Sequence, residues 1–121
     1  MAKSDLFVGA GKFTGGTISG IFRQTAGEDR WERITKGLPE PASIQALTVH
    51  PSNRDVMFAG TQDGVYRSLD GGGTWARVNF PPGLEVWSVT VHPKNPRVIY
   101  AGTSPIGVFR SEDGGDTWRR L

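Results

Sequence analysis

Cysteine is absent from these 121 residues, so neither a disulfide nor a thiolate metal site can fasten the chain. No run approaches the ~20 apolar residues that would span a bilayer. The opening Met1-Ala2-Lys3-Ser4-Asp5 has no apolar core of the kind a secretion signal carries. Together these absences lead us to expect a cytoplasmic protein with no membrane partner. Neither charge sign dominates: 14 basic and 12 acidic residues leave a net charge of +2, with the arginines dispersed. A nucleic-acid groove needs a clustered basic stripe, so nucleic acid is not an expected partner. Long amphipathic helices are also missing. Seventeen glycines against 36% hydrophobic residues fit many short strands and tight turns.

What is present is a repeat. Ser111-Glu112-Asp113-Gly114-Gly115-Asp116-Thr117-Trp118 has an upstream copy, Ser68-Leu69-Asp70-Gly71-Gly72-Gly73-Thr74-Trp75. A worn third copy lies on Gln24-Thr25-Ala26-Gly27-Glu28-Asp29-Arg30-Trp31. The three tryptophans are 44 and 43 residues apart, a period that signals a repeat architecture. Asp-Gly-Gly between apolar runs is a hairpin signal, with glycine supplying positive φ and the Asp carboxylate bonding its own turn. The Ser and Thr hydroxyls add further bonds across the turn. Ser68, Asp70, Gly72, Thr74 and Trp75, with Ser111, Asp113, Gly115, Thr117 and Trp118, are therefore expected to be structural, each Trp packing at a seam between units.

Around each turn the other strands recur. Asp5–Gly9, Asp55–Gly60 and Arg97–Gly102 are apolar runs closed by Gly, as strands buried on both faces would be. Gly20–Arg23, Gly64–Arg67 and Gly107–Arg110 follow them. A fourth strand type, ending in His50-Pro51 and His92-Pro93, appears only twice. Each full unit thus holds four strands in about 43 residues, the blade of a β-propeller. The expected fold is all-β, with three strands in a first unit (5–35) and four each in a second (43–79) and third (85–121). The first unit lacks its opening, innermost strand.

Both full turn copies match Ser-x-Asp-x-Gly-x-Thr-Trp at every fixed position, and here the chain resembles the Asp-box, or bacterial neuraminidase repeat, family. The copy at 24–31 keeps only Gly27 and Trp31. The wider repeat is similar to the propellers of sialidases, sortilin-type receptors and a photosystem II assembly factor. That resemblance implies a propeller fold more than an activity. It places a sialidase active site on the face opposite the Asp-box turns, around the channel. Arg23, Arg67 and Arg110 invite comparison with the sialidase arginines. However, Phe22-Arg23-Gln24-Thr25 lacks the Ile and Pro of the Phe-Arg-Ile-Pro pattern, no Tyr-Glu nucleophile pair is apparent, and Tyr66 and Tyr100 fall inside strands.

Closed propellers carry 4–8 blades, and an open arc without polar caps exposes apolar faces. The expectation is a homo-oligomer, two chains giving six blades, or a piece of a longer propeller. On the channel face the candidate ligand-binding residues are Lys12 and Thr14 in a long first loop, Asp63, Ser104, and Glu85 with Trp87, an acid and an aromatic suited to a sugar or a cation. The leading expectation is a non-catalytic module that binds a protein or a glycan. The alternative is a sialidase-like glycoside hydrolase, with Glu40, Glu85 or Asp63 as its acid, and a third reading is a building block with no ligand. No cofactor is expected, and no metal: His50 and His92 sit on different units with no third ligand repeated nearby.

Overall fold

A computed structural model describes residues 5–10 and 19–121. Among these residues it contains eleven strands in three antiparallel sheets and no helix. The first sheet is β1 (Leu6–Ala10), β2 (Gly20–Gln24) and β3 (Trp31–Arg33). The second is β4 (Ile44–Val49), β5 (Met57–Thr61), β6 (Gly64–Ser68) and β7 (Ala76–Arg77). The third is β8 (Glu85–Val91), β9 (Ile99–Ser104), β10 (Gly107–Ser111) and β11 (Arg119–Arg120). Each sheet is a meander in chain order. The expected all-β fold, with three strands and then four and four, is what the chain forms.

The repeat extends to individual bonds. Ile34 N–H donates to Ile21 O at 2.8 Å, Val78 N–H to Val65 O at 3.0 Å, and Leu121 N–H to Val108 O at 2.9 Å. The segment at the end of every sheet therefore closes on the strand before it in the same way, the worn first unit included.

The core consists of two seams between sheets. In the first, Ile21 and Ile34 meet Ile44, Met57, Ala59, Tyr66 and Trp75, with Leu38 and Ala42 from the linker. In the second, Phe58, Val65 and Val78 meet Val86, Val89, Ile99, Ala101 and Phe109, with linker residue Phe80. Alternate residues of β5 serve opposite seams, Met57 and Ala59 one and Phe58 the other, as the period-2 geometry of a strand requires. That is why every residue of this strand is buried. Burying side chains of this size contributes about 1.5–3 kcal/mol each.

The eight-residue turns are fastened as their residue types suggest. Ser68 Oγ accepts from Gly72 N–H at 2.8 Å and donates to Asp70 Oδ1 at 2.8 Å. Asp70 Oδ1 also accepts from Thr74 N–H at 2.8 Å, and its Oδ2 accepts from the Thr74 hydroxyl at 2.7 Å. Ser111, Asp113, Gly115 and Thr117 repeat the same set. Gly72 and Gly115 have φ of 95° and 101°. A Cβ on Gly72 would lie 2.6 Å from Ile34 Cδ1, so this glycine also permits the close approach of the first sheet.

These bonds fix the ionisation of the turns. The Thr74 hydroxyl, then the Thr74 amide and the Ser68 hydroxyl, hold the Asp70 carboxyl at about 2 instead of 3.8. Thr117 and Ser111 do the same for Asp113. A carboxyl depressed by folding stabilises fully above its unfolded value of 3.8, and that stability is lost as pH falls through about 2. We expect acid to lower the unfolding midpoint across this window. Denaturant melts at pH 5 and pH 2 check it: Asp70→Ala with Asp113→Ala should flatten the fall relative to the unmodified chain.

Candidate functional site

Strand direction sorts the turns onto two edges. The His50 and His92 turns lie with the Ser-Asp-Gly-Thr turns: Gly71 N–H donates to Asp55 O at 2.9 Å, and Gly114 N–H to Arg97 O at 2.9 Å. Here the histidines act as turn caps. His50 Nδ1 accepts from the backbone N–H of Ser52 and Asn53, and His92 Nδ1 from Lys94 and Asn95, all at 3.1 Å.

The other edge carries the Thr61–Gly64 and Ser104–Gly107 turns and the start of β8. Glu85 stands directly across from Ser104. The register slips between Val86 and Ser88, leaving Trp87 as the extra residue of a β-bulge, a device that re-aims a side chain. Trp87 is exposed, whereas its neighbour Val86 is fully buried in the second seam. Gln45 occupies the same bulge in the second sheet and is half-buried. Asp63 sits at the matching turn of the second sheet.

The three candidate acids differ in what holds them. Asp63 accepts the Tyr66 hydroxyl at 2.8 Å and lies 3.7 Å from Arg77 Nε. Burial, and then this bond, push the Tyr66 phenol up to about 12. Glu40 pairs with Arg33 at 3.0 Å. Glu85 alone of the three has no side-chain hydrogen bond or ion pair among the described residues. The structure thus brings Glu85, Trp87 and Ser104 together on β8 and β9, while Asp63 is engaged in its own sheet. Lys12 and Thr14 lie outside the described residues. No group of three His, Asp or Glu side chains that could hold a metal occurs among the described residues, and no helix among them is long and apolar enough to cross a membrane.

A second feature has only a faint signal in the sequence. Arg67 Nη1 crosses the second seam to Gly114 O at 3.2 Å and Asp116 Oδ1 at 2.8 Å. The equivalent Arg23 has no such carboxylate opposite, because Gly73 replaces Asp116 in the other turn. Arg23 pairs with Glu32 within its own sheet instead. A cleft of about 500 Å³ opens there, bordered by Asp5, Phe7, Arg23, Val49, Arg54, Asp55, Asp70 and Gly71. The Gly73-for-Asp116 difference was the available clue.

Three meanders side by side, joined by apolar seams, define the class: these are β-propeller blades. Solved structures agree. An ancestral GH74 enzyme superposes with a TM-score of 0.74 at 24% identity, over 84% of this chain and 15% of that one. YCF48 bound to a D1 peptide matches with a TM-score of 0.67 at 16% identity, over 93% and 35%. The GH74 enzyme of Niastella koreensis matches with a TM-score of 0.58 at 16% identity, over 98% and 27%. This chain therefore spans from 15% to 35% of the length of these proteins. No family model and no curated protein matches the sequence.

Proposed function

We propose that the chain is a non-catalytic propeller module of the Asp-box type, with blades at 5–35, 43–79 and 85–121, that binds a protein segment or a glycan at the rim of β8 and β9. One observation carries this reading. Trp87 is the exposed residue of a bulge two positions from Glu85, whose carboxylate is unpaired and which stands across from Ser104, an aromatic platform with two polar groups suited to hydrogen-bonded ligands. YCF48 lends it support, as a propeller of similar blades that binds a peptide. The carboxylates of the repeated turns are held by their own hydroxyls and amides and have no part in the site. A lone carboxylate at the rim suits recognition, because a retaining glycosidase needs two at ~5–5.5 Å.

Intrinsic tryptophan fluorescence titrated with peptide and oligosaccharide panels tests the proposal. We expect a saturable change that Trp87→Ala abolishes and Glu85→Gln weakens by about tenfold, the scale of one lost charge-assisted hydrogen bond. Glycosidase assays separate the alternative: turnover that Glu85→Gln removes would replace this reading with a hydrolase. Binding that is unaffected by both substitutions would place the ligand elsewhere.

A further inference from the structure

The two end sheets expose the positions that the inner seams bury. In the second sheet Met57, Ala59 and Trp75 face the first sheet and are 0%, 0% and 4% exposed; their counterparts Leu6, Val8 and Trp31 in the first sheet are 54%, 49% and 47% exposed. Val65 and Val78 face the third sheet at 0% and 7%; their counterparts Val108 and Leu121 are 49% and 61% exposed. One open face is thus the receiving side of a seam and the other its inserting side.

Charge fits the same pairing. Across the second seam Arg67 bonds Asp116. Arg110 is the third sheet's equivalent of Arg67, and with no sheet beyond it the guanidinium turns to the Tyr100 hydroxyl at 3.0 Å and to Glu112 at 3.2 Å. In the first sheet's turn the residue aligned with Asp116 is Asp29, which is exposed and has no ion pair among the described residues. The second sheet carries Gly73 there. The carboxylate is therefore missing at the inner position facing Arg23 and present at the open end.

We infer that these faces form one head-to-tail joint between copies of this chain. The third sheet of one copy receives the first sheet of a second, Val108 and Leu121 pack against Leu6, Val8 and Trp31, and Arg110 reaches Asp29 as Arg67 reaches Asp116. Two such joints close a ring of six sheets, within the range of closed propellers, and a heterologous contact that closes gives a discrete assembly. This inference is independent of the ligand-binding proposal.

Light scattering during size exclusion tests it on the full chain, with charge reversal to identify the contact. We expect a single species of about twice 13.1 kDa. Asp29→Arg should raise the dissociation constant at least about tenfold, since like charges at an interface are costly, and adding Arg110→Glu should recover the dimer. Unchanged circular dichroism of Asp29→Arg would show that the sheets persist. A monomer, or an assembly indifferent to Asp29→Arg, would overturn the joint, a monomer meaning that the occupant is not a second copy; a polydisperse profile would overturn the closed ring of six sheets.

Discussion

Replacing Gly37 by Ala should be among the most damaging single substitutions in this chain. Gly37 lies in the turn Thr35–Leu38, closed by Leu38 N–H to Thr35 O at 3.0 Å, with φ of 95°. The neighbouring Lys36 O accepts from Trp75 N–H at 2.8 Å, so this turn is sewn to the second sheet through backbone. A Cβ at Gly37 would lie 1.9 Å from Trp75 O, a distance no side chain can occupy and no rotamer change can relieve. Left-handed φ costs Ala about 1 kcal/mol, and forced displacement in a packed region adds about 1–3 kcal/mol. The expected loss is about 2–4 kcal/mol, or about 10 °C or more in Tm for a domain of this size. Thermal unfolding followed by circular dichroism measures it. A Tm within 2 °C (about 0.5 kcal/mol or less) would mean that the turn does not rest on the Trp75 backbone.

Trp75→Ala should cost about 3–5 kcal/mol, the range for truncating a buried aromatic. Two losses combine in it. The indole fills the first seam between Ile34 and Met57, and its Nε1–H donates to Ile34 O at 3.0 Å, joining the first sheet to the second. Trp118 occupies the same place in the next repeat but is half-buried. Its indole turns to Gly115 O of its own turn at 2.9 Å and meets the Phe80 ring edge-on at 5.2 Å. Trp118→Ala should therefore cost less. Urea unfolding of both variants gives the comparison; equal losses would show that the two seams are energetically alike.

The contrast between these tryptophans marks the limit of what the residues alone reveal. Their shared place in an eight-residue motif shows that both face a seam. Which backbone oxygen each indole finds depends on the preceding unit, and the linkers differ: Thr35-Lys36-Gly37-Leu38 in one, Asn79-Phe80-Pro81-Pro82 in the other. The strand order, the locked Ser-Asp-Thr turns and the burial of β5 on both faces follow from periodicity and turn chemistry, which act locally. The histidine caps were legible only as strand ends, because Nδ1 accepting two amides mimics a side-chain oxygen without its sequence signature. Arg67 and its partner Asp116 are separated by 49 residues, so their pairing waits on the seam that brings them together. At the rim, Glu85 and Trp87 replace Ser43 and Gln45 of the preceding repeat, a departure that is legible in the sequence. The bulge that carries Trp87 is a property of register between two strands and is invisible in either one.

The seams are what make three small sheets into one structure, and hydrogen exchange of the tryptophan indoles by NMR tests them most directly. We expect the Trp75 Nε1–H to be strongly protected, exchanging only when the first and second sheets part, because it is buried and bonded to Ile34 O across that seam. A Trp75 indole exchanging at the rate of free indole in solution would contradict the whole arrangement, since the first sheet would then not be held against the second.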